Sequence, residues 1–106
     1  MGVPTVDVFD LPAFAPEHRG GPRECADKLM SEAAEVFAEV RNLEQMCSIW
    51  PNLYHNGERY AIALELADVL QVCRNICAVC EITPAMMAEA MAACIEKNQT
   101  KDGGRY

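Results

Sequence analysis

The amino-acid sequence predicts an all-α fold: a helical bundle of three main helices per chain, with a four-helix core completed by oligomerisation. Two long segments place apolar residues at steps of three and four, which is the spacing of an amphipathic helix. A third segment opens with a threonine–proline pair, a common start of a helix. The chain has 106 residues, 51% of them hydrophobic, which is enough for one domain but leaves three helices short of core. We therefore expect a homodimer or homotetramer.

The first segment, residues 1–22, contains four prolines and three glycines. This composition is typical of loops, and the short alternating stretch at residues 5–9 is the only strand-like pattern. We predict an arm or loop that packs against another surface, followed by one all-α domain over residues 23–98.

Two amphipathic helices should follow, the first over about residues 23–43 and the second over about residues 59–80. Between them, residues 47–58 contain Trp50-Pro51 and Asn56-Gly57 and are predicted to form a loop. The apolar stripe of the first helix comprises Leu29, Ala33, Val36, Phe37, Val40 and Leu43. The stripe of the second comprises Ile62, Leu66, Val69, Cys73, Ile76 and Cys80.

The third helix is predicted to begin at Thr83-Pro84 and to continue to about Lys97. Its core-facing side would be formed largely by methionine, alanine and cysteine. Residues 99–106 are polar and contain two glycines, so we expect a flexible basic tail.

Charge and composition narrow the classes of partner. A net charge of −7 argues against a nucleic-acid polymer or an anionic membrane, because both require a basic surface. No apolar run reaches the length of a membrane span, and the N-terminus lacks the order of a signal peptide. We expect a cytoplasmic protein whose six cysteines are reduced thiols within helices.

Two acidic pairs are the strongest functional signal. Glu32 and Glu35 lie three residues apart at the border of the first apolar stripe, and Glu65 and Asp68 do the same on the second helix. A single acidic residue on a helix is usually solvated. Four carboxylates at a packing seam, with Lys28 as one of few cationic neighbours, would repel one another unless a cation joined them. Mg²⁺ suits such oxygen ligands, with Mn²⁺ as an alternative.

These residues give the chain a resemblance to a known family. Glu-x-x-Glu on one helix and, about thirty residues later, Glu65-Leu-Ala-Asp-Val-Leu70 on the next resemble the MazG-like nucleotide pyrophosphohydrolases, of the all-α NTP pyrophosphatase superfamily. Lys28 before the first pair, Lys97-Asn98 and the final Gly-Gly-Arg-Tyr extend the likeness from Lys28 to Arg105. One departure is Ser31, where many members carry a glutamate.

The resemblance implies Mg²⁺-dependent hydrolysis of a nucleoside triphosphate between the α and β phosphates, giving a monophosphate and pyrophosphate. Glu32, Glu35, Glu65 and Asp68 would hold the metal, and Glu35, or else Glu32, would accept the proton of the attacking water. The residues expected to contact the substrate phosphates are Lys28, Lys97, Asn98, Lys101 and Arg105. Trp50 could stack on the base or anchor its loop to the bundle.

Two other interpretations remain open at this point. The acidic pairs could serve solubility or docking in a non-catalytic helical dimer. Alternatively, Ser31 could mark a degenerate family member that binds nucleotide without turnover.

Overall fold

The computed structural model describes residues 7–100, and this part of the chain is helical without a strand. The predicted all-α class is therefore confirmed, with three long helices. The elements are a 3-10 helix at Val8–Asp10, α1 at Pro16–Arg19, α2 at Pro22–Ile49, α3 at Asn56–Val79 and α4 at Pro84–Thr100.

The loop between the two amphipathic helices is shorter than predicted. It spans residues 50–55, because α2 continues six residues beyond residue 43 and α3 begins at Asn56. The segment after residue 43 contains good helix formers and no breaker before Pro51. Trp50, which precedes that proline, leaves the helical region with φ −128° and ψ 72°, as a residue before proline tends to do.

Helices α2 and α3 pack side by side and make most of the contacts between elements. They run antiparallel, because residues near the start of α2 face residues near the end of α3. Cys25 and Val72, for example, line the same cavity. The acidic pairs of both helices are thereby brought to one seam.

The N-terminal arm packs on α3 through polar contacts. Three α3 side chains, those of Gln71, Arg74 and Asn75, form hydrogen bonds of 2.9, 3.0 and 2.9 Å to the arm backbone at residues 12, 11 and 14, respectively. Arg74 also places its guanidinium 5.0 Å from the centre of the Phe9 ring. We call the three α3 residues the arm latch. They give the predicted arm a defined docking surface.

Little of the predicted apolar face is buried within one chain. Over the residues that the structure covers, the buried apolar residues are Cys25, Val72 and Cys77, and all six cysteines are free thiols. Two members of the predicted stripes remain open to solvent: Phe37 is 65% exposed and Leu66 is 47% exposed. Within a single chain, the apolar stripes of the helices therefore do not form an extensive buried core.

Helix α4 begins as predicted, since the Met86 amide donates to Thr83 Oγ1 at 3.2 Å. It continues to Thr100, three residues beyond the predicted end, and none of its residues is buried. An open groove of about 710 Å³ separates α4 from α3 and the 3-10 helix, with Leu70, Met87 and Met91 among its walls. No helix in the described part of the chain is both long and apolar enough to cross a membrane.

Candidate metal centre

Three of the four predicted metal ligands converge at the seam between α2 and α3. One carboxylate oxygen from each of Glu32, Glu65 and Asp68 lies within 4.8 Å of the others. Glu32 is buried, Glu65 is half-buried and Asp68 is exposed. The cluster therefore extends from the packed seam to solvent, which gives a cation a route into the site.

Lys28 supplies the cationic contact to this cluster. Its Nζ lies 3.0 Å from Glu32 Oε1, one helical turn along α2. This hydrogen bond to Lys28 lowers the pKa of Glu32, and the same contact raises the pKa of Lys28. Lys28 neutralises only one side of the Glu32 carboxylate.

Glu32 and Glu65 each have a second carboxylate oxygen that lacks a hydrogen-bond partner. Glu32 Oε2 and Glu65 Oε2 are both buried, and neither forms a hydrogen bond. A buried carboxylate oxygen without a partner is costly, because it loses its hydration without replacement. A hard divalent cation takes oxygen ligands of this kind, so the three carboxylates could hold a metal ion.

Glu35 is close to the cluster but is not part of the three-residue group. Its side chain is exposed, and hydrogen bonding to Glu32, then to Glu65, raises its pKa. The four predicted acids therefore divide into a group of three that converge and one neighbour. This division leaves Glu35 available for a role other than metal binding.

A further carboxyl pair lies along the same seam and was missed from the sequence. Hydrogen bonding to Glu39 raises the pKa of Glu58, so the two carboxyl groups face each other across α2 and α3. Glu39 lies at the border of the first stripe. Glu58 was assigned to the predicted loop. If the helical pattern of α3 had been extended back to Asn56, Glu58 would have been recognised as an acidic residue of that helix.

The predicted substrate-binding residues are more dispersed. Trp50 directly follows the last residue of α2 and lies 18 residues beyond Glu32, which is about 27 Å along the helix at 1.5 Å per residue. Its ring is 52% exposed, and its carbonyl contacts the His55 ring at 2.9 Å. In its own chain, Trp50 therefore cannot stack on a base whose phosphates lie at Glu32.

The remaining predictions concern α4 and the C-terminus. Lys97 lies in the last turn of α4, and Asn98 Nδ2 donates within that helix to Cys94 Sγ at 3.5 Å. Asn98 Oδ1 is buried without a partner. Lys101 and Arg105, and with them most of the predicted tail, lie outside the described residues.

Ser31, the departure from the family pattern, does not join the cluster. Its hydroxyl donates to the Lys28 carbonyl at 3.1 Å, within α2. The Ser31 hydroxyl therefore forms its hydrogen bond within α2 rather than with the three converging carboxylates.

Comparison with known proteins adds no assignment: no family model, curated protein or solved structure matches this chain.

Proposed function

We propose that this protein is a Mg²⁺-dependent nucleoside triphosphate pyrophosphohydrolase that cleaves between the α and β phosphates. The observation that carries the proposal is the convergence of one carboxylate oxygen from each of Glu32, Glu65 and Asp68, at a seam where Glu32 and Glu65 each also have a buried oxygen without a hydrogen-bond partner. An acidic surface that served only solubility would expose these oxygens to water.

The residues divide naturally into the roles that such a reaction requires. Glu32, Glu65 and Asp68 would hold the metal ion, which when bound neutralises phosphate oxygens and lowers the pKa of a bound water. Glu35 lies beside the ligands and outside their group, where a carboxylate can accept the proton of the attacking water. Lys28 is 62% exposed and stands beside Glu32, within reach of a phosphate brought to the site.

The substrate class rests on the resemblance of the acidic motifs to MazG-like enzymes. The structural support for it is indirect: the Glu-x-x-Glu and Glu-x-x-Asp motifs lie on adjacent antiparallel helices and three of their carboxylates meet. A net charge of −7 also suits a metal-bridged phosphate better than a substrate held by basic residues alone.

The proposal includes a second copy of the chain. Helix α4 has no buried residue, and large apolar side chains on all three long helices are exposed, among them Phe37, Leu66 and Met91. Association through these faces would complete a four-helix core. A partner subunit could also bring its own loop aromatic residues toward the metal centre, which Trp50 of the same chain cannot reach.

The test combines metal binding with product analysis. We expect Mg²⁺ or Mn²⁺ to raise the melting temperature, because both bind only the assembled site. A panel of ribo- and deoxynucleoside triphosphates should yield pyrophosphate and the monophosphate. Orthophosphate as the product would contradict the proposed position of cleavage, and metal binding without turnover of any nucleotide would favour a binding or interaction role.

Two substitutions test the assigned ligands at nearly constant shape. Glu65→Gln and Asp68→Asn should each lower activity by about 100-fold or more and weaken the Mg²⁺-dependent stabilisation. Glu44→Gln is the matched control, since Glu44 is an exposed α2 residue outside the cluster. Full activity and metal affinity in both ligand variants would place the metal site elsewhere.

A further inference from the structure

A second concave site lies between the arm, the start of α2 and the end of α3. It is a cavity of about 220 Å³, bounded on the arm side by Phe14, His18 and Arg19. Lys28 of α2 and Asn75 of α3 complete its polar walls. No role proposed above uses His18 or Arg19.

The walls of this cavity concentrate positive charge in an acidic protein. Arg19 and Lys28 both line it, together with His18, against the single carboxylate of Glu24. The whole chain has only nine lysines and arginines and a net charge of −7. A small cavity with this lining favours an anionic ligand.

Arg19 has a buried donor that nothing in the described chain accepts. Its Nη1 donates to the Gly20 carbonyl at 2.9 Å, but its Nε is buried without a hydrogen-bond partner. A buried N–H group without an acceptor is costly. A small shift of the Arg19 side chain toward an oxyanion in the cavity would give Nε an acceptor through a charge-assisted hydrogen bond.

The cavity is held in shape by the arm latch. Asn75 is 5% exposed, and its Oδ1 accepts from the Phe14 amide at 2.9 Å and from Gln71 Nε2 at 3.2 Å. The Cys25 thiol, also in the wall, donates to the Arg19 carbonyl at 3.4 Å. These contacts fix both Phe14 and the Arg19 backbone relative to the helices, so the site is formed before a ligand arrives.

We propose that this cavity binds a small oxyanion of the phosphate type, held by Arg19 together with Lys28 and His18. Lys28 is shared by the cavity and the candidate metal centre, because it lines the cavity and its ammonium group contacts Glu32. Free phosphate and the outer phosphates of a nucleotide present the same chemistry, and the experiment separates them. Oxyanion binding requires neither turnover nor metal, so its failure is distinguishable from failure of the proposed hydrolase activity.

The chain provides its own control for a binding experiment by NMR. It has two histidines: His18 lines the cavity, whereas His55 lies in the loop between α2 and α3. Inorganic phosphate titrated into the metal-free protein at constant ionic strength and pH should shift the His18 ring signals saturably and leave those of His55 unchanged. Equal shifts at both histidines, or none at His18 with any phosphate compound, would overturn the proposal.

Two further ligands identify the source of the oxyanion. If a non-hydrolysable triphosphate analogue moves His18 and inorganic phosphate does not, the site takes the outer phosphates of a nucleotide. If inorganic phosphate is sufficient, the site takes the free ion. An uncharged nucleoside that moves His18 as strongly as the phosphate compounds would overturn the proposal, because the cavity would then bind the base.

A charge-removing variant tests the assigned donor. Arg19→Gln should weaken phosphate binding by about tenfold or more. Arg23→Gln removes the same charge from an exposed position that is not in the cavity wall, and it should leave the affinity nearly unchanged. Equal losses in the two variants would contradict a specific site. The His18 shift in the unsubstituted protein stands independently if Arg19→Gln fails to fold.

Discussion

The two ends of the α2–α3 pair differ sharply in packing. At the arm end, where the latch holds the N-terminal arm, lie all of the residues that are buried in the described chain: Cys25, Glu32, Val72, Asn75 and Cys77. At the loop end, the large side chains are open to solvent, including Ile49, Trp50, Leu53, Tyr54 and Tyr60. The same two helices thus form both a packed region and an uncovered one.

The two ends differ in packing because a third structural element covers the helix pair at the arm end. A pair of helices buries only a narrow strip between them, so each helix needs a further element over the rest of its apolar face. The arm supplies that element at one end, and nothing within the described residues supplies it at the other. Amphipathic periodicity therefore identifies the face to be covered without identifying what covers it.

The largest expected effect is on assembly through the exposed apolar stripe of α2. Phe37→Gln places an amide on the exposed α2 stripe, and we expect it to convert the proposed oligomer to a single chain of 11.7 kDa. Burying that polar group at an interface without a partner would be unfavourable. Light scattering after size-exclusion chromatography measures the mass directly.

The control for this substitution is Met30→Gln, at an α2 residue outside the apolar stripe that is 74% exposed. It should leave the assembly intact. An unsubstituted protein that already elutes with the mass of one chain would show that the loop end is not covered by a second copy.

The next effect concerns the latch at the packed end. Asn75→Ala removes the acceptor of the Phe14 amide, and we expect a loss of about 1 kcal/mol in the free energy of unfolding, because a part-buried hydrogen bond is lost. Urea denaturation measures this loss, and hydrogen exchange should show faster exchange at the Phe14 amide.

Asn42→Ala provides the comparison, since Asn42 is an exposed residue of α2. It should change stability much less than Asn75→Ala does. Equal losses of stability in the two variants would mean that the arm latch does not stabilise the packed end.

The smallest effect concerns the second carboxyl pair, which lies toward the loop end. Hydrogen bonding to Glu39 raises the pKa of Glu58 in the folded state. The resulting stabilisation is present below the unfolded-state pKa and is lost as pH rises through the raised folded-state pKa. Glu58→Gln should therefore raise the melting temperature by a few degrees at about pH 7 and have little effect below about pH 4.

Melting curves over this pH range, recorded without divalent metal, provide the measurement. Glu44→Gln is again the control, because Glu44 is an exposed α2 glutamate outside the seam. A gain from Glu58→Gln that is the same at acidic and neutral pH would contradict the proposed interaction with Glu39.

Much of the fold could be predicted from the sequence because its signals are local. The threonine–proline start of α4, the amphipathic character of α2 and α3, and the border position of Glu32 and Glu65 all follow from residue spacing. Helix α2 ends later than predicted because no helix breaker precedes Pro51, and α3 begins earlier than predicted because Asn56-Gly57 was wrongly taken as a turn. In the structure it forms the first turn of α3, after His55 adopts φ 55°.

The candidate site was predictable only in part. Spacing placed each acidic pair on one helix side, but the division into three converging ligands and a neighbouring Glu35 depends on which carboxylates the packing of α2 on α3 brings together. The Arg19 cavity had no signal in the sequence, since its walls come from three segments separated by tens of residues.

The sequence by itself determined the helices, their apolar faces and the acidic residues at their borders, because these properties depend on neighbours within a few turns. The tertiary structure decided which carboxylate oxygens lose their water without gaining a partner, since that depends on the antiparallel packing of α2 on α3. It also decided that Trp50 lies far from Glu32 in its own chain and that Lys28 both contacts Glu32 and lines the Arg19 cavity. Each of these depends on distances set by packing rather than by residue type.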